Sequence, residues 1–591
     1  MIMRIRYSFA RLLRAVSPSR LAAGFLLLTA ATGAPAQAQL ISFPGAEGAG
    51  KYTSGGRGTA ATPTTVFEVT NLNDDNLPGS FRYAVTQPAT HRTVVFRVSG
   101  TIRLTSELRI TRANTTIAGQ TAPGDGICLA DYPVSVSADN VIIRFIRFRL
   151  GDKNQNLGRV DGSGNGDAFG ALGRRKLMID HCTMSWSSDE ACTVYRGDST
   201  TLQWNLISEP LDYSYHFEAG DTDYQRHAYG GIWGGRAASM HHNLLAHMRG
   251  RMPRFDGSRN LAPYTAGQEN VDFRNNVIYN WASYNVNGGE GGNYNVVNNY
   301  YKYGPSTPTG TSGGVSIRTE VLNPYKQTSA PVLPYGRFYL AGNYVDSSPA
   351  VTARNWLGVV MSGGTRADTV LAKAAVPFAM AAPPPQTALD AYEAVLRNAG
   401  VVLPVRDALD QRIVNDVRNR TGRLIDVQGG FPHGTPYSTS QVAWPVLNSL
   451  PAPADADRDG MPDAWELANG LNPNSDADRG LRASNGYTNL ENYLNGIVAV
   501  VMSSTSEAKT NLAVLQVYPN PGREQFTVAH PAADRHASIT LYTFDGRKAA
   551  SFTARPGTQE TRLNVSRLAS GNYLLLYTDA TQRLTFKLVK E

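Results

Sequence analysis

From residue 180 to residue 345 one short step keeps returning: a polar or aromatic residue, then Asn or His, then an apolar pair. It reads DHCTM, WNLI, HNLLA, NNVIY, NNYYK and GNYV, and it puts His181, Asn205, Asn243, Asn276, Asn299 and Asn343 in equivalent places. The intervals are 24, 38, 33, 23 and 44 residues. An interval near 23 is one turn of a solenoid, and the longer ones are a turn plus an inserted loop. A side chain repeated at one position of each coil stacks on its copies. The Asn residues are therefore expected to hydrogen-bond from coil to coil inside a parallel β-helix. Short apolar runs such as Val94–Phe96, Val141–Ile143 and Leu177–Ile179 supply the strands. The 56 Gly, 28 Tyr and 18% charged residues of this 591-residue chain agree with an all-β, turn-rich architecture.

Such a length calls for more than one domain. Residues 1–38 carry Arg4, Arg6, Arg11 and Arg14, an apolar stretch from Leu21 to Thr29, and Ala36-Gln37-Ala38, the pattern of a secretory signal peptide cut after Ala38. Its removal takes five arginines and no acid from a net charge of +8, leaving about +3. A nucleic-acid partner loses its support, and any polyanion site must be a local patch. The three cysteines, Cys128, Cys182 and Cys192, are too few for a disulfide framework and read as buried small hydrophobes, with a Cys182–Cys192 bridge left open.

The solenoid is expected over 39–449. Its last part, Thr387 to Arg420, has a helical pattern that caps the coils or packs along them. Over 450–500 the segment DADRDGMPDAWE places Asp455, Asp457, Asp459, Asp463 and Glu466 at positions 1, 3, 5, 9 and 12 of an EF-hand-like calcium loop, with Gly460 at the sharp turn. Asp476 and Asp478 are candidates for a partner half-site. A polar linker (501–511) leads to a small β-sandwich over 512–591, with strands expected at Val514–Val517, Ser538–Tyr542, Tyr573–Tyr577 and Leu584–Val589.

The segment HHNLLAHMRGRMPR ends in Arg249, Arg251, Pro253 and Arg254, and MIDHCTMSWSSDEA carries Asp180, Asp189 and Glu190. Cations beside oxygen ligands on one face suit a polyanionic substrate bridged by Ca²⁺.

Several ordered motifs resemble polysaccharide lyase family 1, the pectate lyases: FPGAEGAGKYTSGGRG (43–58), GSFRYAV (79–85), VFRVSGTI (95–102), NTTIAGQTAPG (114–124), MIDHCTMSWSSDE, HAYGGIWGG (227–235) and RMPR. The resemblance implies a right-handed parallel β-helix with a cleft on one exposed sheet, binding polygalacturonate or pectin with Ca²⁺ as cofactor. It implies Arg251 as catalytic base and Asp167, with Asp189 or Glu190, as metal ligands. It also implies Arg254 and His227 as substrate-binding residues, and Asp180-His181 as scaffold. Three positions depart from the family pattern: Asn165 and Thr193 stand where acids are usual, and Asp256 stands where a second arginine is usual.

The implied reaction is β-elimination, in which the base takes the C5 proton next to the uronate carboxylate and a C4–C5 double bond forms. A free guanidinium scarcely deprotonates below about pH 12, so activity is expected to rise toward alkaline pH, helped by Arg249 and Arg254 beside Arg251. Two other readings share these residues. One is a surface protein that binds pectin without turnover; the other is a pectin lyase acting on methyl-esterified chains, for which Trp186 and Trp233 supply aromatic surface. A hydrolase needs two carboxylates flanking the bond, and no paired Asp-Asp motif with an adjacent turn Gly occurs in the solenoid.

VYPNP (517–521), LYTFDGR (541–547), LASGNYLLLY (568–577) and the final KLVKE resemble the type IX secretion sorting domain of Bacteroidetes. This implies the type IX machinery as a partner and release or attachment outside the outer membrane. A monomer is expected.

Overall fold

The computed structural model describes residues 39–59, 61–258, 267–510, 515–543, 547–579 and 583–591; the expected signal peptide lies outside them. From Thr65 to Val345 the backbone winds through three parallel sheets. The first begins at Thr65–Val69 and ends at Arg337–Ala341. The second has nine strands, from Gly100–Arg103 to Tyr344–Val345. The third runs from Leu108–Ile110 to Asn323–Pro324. The long strand Cys192–Gln203 belongs to the third sheet in its first half and to the first sheet in its second, with a register break between Val194 and Gly197. This is the expected parallel β-helix. Inward positions carry Val, Ile, Leu and aromatic residues, with Phe255, Tyr294 and Phe338 stacked at centroid separations of 4.6 Å and 4.6 Å.

The Asn ladder is present, but one residue out of the expected frame at its start. Asn205 Oδ1 accepts from the Cys182 N–H, and Asn243, Asn276, Asn299 and Asn343 continue upward to Asn355. His181 is not a rung. It belongs to the preceding row: Phe145, His181, Trp204, His242, Asn275 and Asn298 all have φ between 52° and 57°. A left-handed residue costs a non-glycine side chain energy. Here the turn it makes delivers the next residue to the ladder, and the rings stack on one another, Phe145 on His181 at 5.0 Å and Trp204 on His242 at 4.1 Å. His and Asn look alike beside strand ends in a sequence; only the register separates the rows.

The helical segment packs along the coils. Ala388–Asn398 and Ala408–Asn419, capped by Thr387 and Asp407, lay Val395, Leu396, Ile413, Val414 and Val417 on the outer face of the second sheet. The 450–500 segment departs from an EF-hand pair. Among the described residues no helix leads into the loop, and the one leaving it, Asp463–Ala468, is short. Met461, Leu490 and Leu494 instead fix the segment on Val95 and Ala118 of the first sheet. The expected linker is a continuation of helix Asn489–Thr510. After it, three- and four-stranded antiparallel sheets close on Phe526, Val528, Ile539, Leu541, Leu575 and Tyr577 as a sandwich. The part of the expected strand at Val514 lies outside the described residues. All three cysteines are free and buried.

Glu320 is buried in a late coil, where burial pushes its carboxyl up to about 8; Tyr301 and Tyr325 are titratable groups that feel its charge. The unfolded carboxyl ionises near 4.3. Between those values the folded state holds a proton the unfolded state lacks, so stability falls as pH rises through that window. Glu320→Gln, which keeps the acceptor for the Asn285 N–H, is expected to match the parent near pH 4 and to exceed it at pH 8 by roughly 4 kcal/mol at most. Denaturant melts at the two pH values check this; equal stability at pH 8 refutes it.

Candidate functional site

Every turn from the second sheet to the third ends at the same edge, so residues far apart in sequence stack there coil by coil. Asp167 comes before strand Phe169–Leu172, Asp189 and Glu190 before Cys192–Gln203, His227 and Tyr229 before Ile232–Gly235, and Arg251 before Arg254–Phe255. Backbone bridges Glu190–Tyr229 and Tyr229–Gly250 lock three of these turns in register. Close approach here demands glycine: a Cβ on Gly231 would lie 1.8 Å from the Cys192 carbonyl oxygen, and one on Gly230 2.4 Å from that of Arg251. That is the physical content of the GGIWGG run.

The turns border a groove of about 520 Å³ on the outer face of the third sheet, with Ser135, Gly170, Thr193 and Ile232 along its floor. At its edge, carboxylate oxygens of Asp167, Asp189 and Glu190 lie within 4.8 Å of one another. Asp167 Oδ1 accepts from the Glu190 N–H at 3.0 Å. Burial, and then the charge of Asp189, push the Asp167 carboxyl well above the usual range. Burial works against the Asp189 carboxylate too, but His227, His216 and Arg251 outweigh it and hold Asp189 below the usual range. Arg251, in the left-handed region at φ 53°, extends over the Tyr229 ring, 4.1 Å from its centroid, and its Nη1 meets Glu190 Oε1. Its side chain is 25% exposed, and it reaches the groove through Glu190, which lines it.

Two expected substrate contacts are placed otherwise. Arg254 is buried, its guanidinium 2.6 Å from Glu290 and over the Tyr325 ring, so it is committed within the protein. His227 Nε2 lies 2.6 Å from Asp189 Oδ1, with the His216 ring stacked 3.7 Å away; it orients a carboxylate and is closed to the groove. Arg249 is likewise taken, paired to Asp212 at 2.7 Å. The charges expected to crowd Arg251 are therefore neutralised by their own partners. Trp186 and Trp233 are fully buried and offer no aromatic surface to a ligand. Asp256 is buried beside Glu269. Asp180 is scaffold, holding His181, Gln203 and Arg144 at 2.8, 2.7 and 2.7 Å.

In the acidic loop, Asp455, Asp457 and Asp459 converge, as do Asp459, Glu466 and Asp478. Asp463 does not join them; as the first residue of a helix it accepts the Ala456 N–H at 2.7 Å. Asp476 turns to Arg479. The residues around Asp189 and Arg251 that sequence reasoning missed are His216, Tyr229 and Tyr284. Tyr229 lies within the HAYGGIWGG motif, but no local signal gives any of the three a role, because they reach Asp189 and Arg251 only through coil stacking.

The chain is 32% identical over 479 residues to a protein of Aspergillus flavus named probable pectate lyase C, covering 78% of this chain and 94% of that protein. It belongs to the pectate lyase family of polysaccharide lyases. Residues 516–591 match the secretion system C-terminal sorting domain, which marks this family member for the cell surface or exterior. Among solved structures it is similar to jun a 1 of cedar pollen, at a TM-score of 0.42 and 17% identity over 60% of this chain and 93% of that one. It is also similar to a pectate lyase of Bacillus sp. N165 in complex with trigalacturonate, at 0.40 and 15% over 60% and 98%.

Proposed function

We propose that this lyase cleaves polygalacturonate by Ca²⁺-assisted β-elimination at the groove edge, with Arg251 as the base. The observation that carries the reading is one guanidinium standing at the rim of a three-carboxylate cluster beside an open groove. The cluster suits a hard cation: all donors are carboxylate oxygens that converge within 4.8 Å of one another. When bound there, Ca²⁺ would supply positive charge to the substrate carboxylate next to the scissile C–H bond. Asp167 and Asp189 hold the ligand oxygens, and His227 fixes Asp189. Glu190 and the Tyr229 ring hold the Arg251 guanidinium in place. Arg251 acts after losing one proton to solvent at alkaline pH. Its neutral guanidine nitrogen takes the C5 proton, and the C5–H electron pair becomes the C4–C5 double bond. The C4–O bond breaks, its electron pair leaving with the sugar oxygen, which takes a proton from water.

The carboxylate spacing argues against hydrolysis. Retaining and inverting glycosidases set two carboxyl groups across the bond to be cut; here one oxygen from each of three carboxylates converges within 4.8 Å, the arrangement of a cation site. Trp186 and Trp233, expected to supply aromatic surface for esterified chains, are buried and do not line the groove.

The test is ultraviolet-absorbing, unsaturated product from polygalacturonate against methyl-esterified pectin, with and without chelator. Product from polygalacturonate alone, lost in chelator, is expected. Asp189→Asn is expected to raise the Ca²⁺ needed for half-activity about tenfold or more. New reducing ends without the absorbing product would assign a hydrolase, and chelator-resistant turnover would remove the cation from the mechanism.

A further inference from the structure

The acidic loop lies on the outer face of the first sheet, apart from the groove, and nothing in the proposed reaction uses it. Its carboxylates share an unusual arrangement. One oxygen of each aspartate is bound locally: Asp455 Oδ2 by the Gly460 N–H, Asp457 Oδ1 by Asp459, Asp459 Oδ1 by Met461, and Asp478 Oδ2 by Asn472. The other oxygen of each is buried and without a hydrogen-bond partner: Asp455 Oδ1, Asp457 Oδ2, Asp459 Oδ2 and Asp478 Oδ1. Glu466 is fully buried, and both of its oxygens are without a partner. An unpaired buried carboxylate is among the most costly groups a protein can hold. Four single oxygens and one two-oxygen glutamate match the six to eight oxygen ligands, with a bidentate Glu, that Ca²⁺ accepts.

We propose that Asp455, Asp457, Asp459, Glu466 and Asp478 together bind one Ca²⁺, and that this ion clasps the 455–480 segment onto the first coils of the β-helix. Asp478 is the decisive ligand. It comes from a separate turn beyond the short helix, so the ion ties two segments together instead of filling one loop, and Asp463 takes no part. The clasp reaches the solenoid through charges and packing already in place. Arg97 pairs with Asp455 at 3.4 Å, Arg458 with Glu68 at 2.6 Å, and the left-handed Gly460 sits against Val66 and Val95, where a Cβ would stand 3.2 Å from Val66 Cγ1.

The experiment uses the secreted chain carrying Asp167→Asn and Asp189→Asn, so that the groove contributes no calcium signal. Titration with CaCl₂ is expected to show one bound ion per chain and a rise in the unfolding temperature of at least about 3 °C. Adding Asp478→Asn is expected to weaken binding roughly tenfold or more; adding Asp463→Asn is expected to leave it unchanged. No calcium uptake, or equal affinity with and without Asp478→Asn, overturns the proposal. Should Asp478→Asn fail to fold, limited proteolysis of the groove-disabled chain in CaCl₂ and in EDTA reads the same clasp. Cutting within 455–480 in EDTA alone supports it, and equal resistance in both overturns it.

Discussion

Replacing Arg251 with alanine is expected to lower kcat on polygalacturonate by about 10³-fold or more while the protein remains folded. The side chain is partly exposed and its neighbours are anchored independently, Asp189 by His227 and Asp167 by the Glu190 N–H. The damage should therefore be chemical, not structural. The same substitution frees Glu190 from its ion pair and removes a positive charge from beside three carboxylates, so calcium affinity at the groove should hold or tighten. That pairing of outcomes separates loss of a base from loss of a metal ligand: Asp189→Asn should weaken calcium binding, and Arg251→Ala should not. Arg251→Lys should rescue little, because an ammonium cannot keep both the planar contact over Tyr229 and the Glu190 pair. Arg251→Ala retaining more than a tenth of parental kcat would remove this residue from the chemistry.

Asn243→Ala is expected to destabilise the β-helix by roughly 3–5 kcal/mol, the largest stability effect of any single substitution considered. Asn243 Oδ1 accepts from the N–H and the Nδ2 of Asn205, at 3.0 and 2.9 Å, while its own Nδ2 donates to Leu202 O and Asn276 Oδ1, both at 3.0 Å. Alanine strands the Asn205 donors and the Leu202 acceptor in a dry interior, and each stranded group costs about 1–3 kcal/mol, partly recovered by relaxation. Asn243→Asp should cost a similar amount, since it keeps the acceptor and loses the donor. Denaturant unfolding followed by circular dichroism checks both; a loss below about 1 kcal/mol would mean that the ladder is ornament to a fold held by its apolar stacks.

The repeat was legible because an Asn ladder leaves the same residue type at the same phase of every coil. Its first rung was misplaced because His181 and Cys182 differ by one position, and a period read from residue types has no register. The acidic loop was legible because Asp455, Asp457, Asp459 and Glu466 lie within twelve residues, yet spacing gave Asp463 a role that the helix start had already claimed and left Asp478, which joins from a separate turn, as a partner half-site. Arg254 illustrates the same limit from the other side. Its charge invites a polyanion, but Glu290, thirty-six residues away, is one coil above it and takes the guanidinium first.

Residue order alone determined that this chain coils, that its coils are bound through asparagine, and that acids and arginines gather on late turns, because these depend on periodicity and side-chain type. Which of those charges face the groove was decided only by the tertiary structure. A β-helix sets each turn against the turns above and below it, so whether Arg251, Arg254 or His227 is available depends on partners one coil away in space and dozens of residues away in the chain.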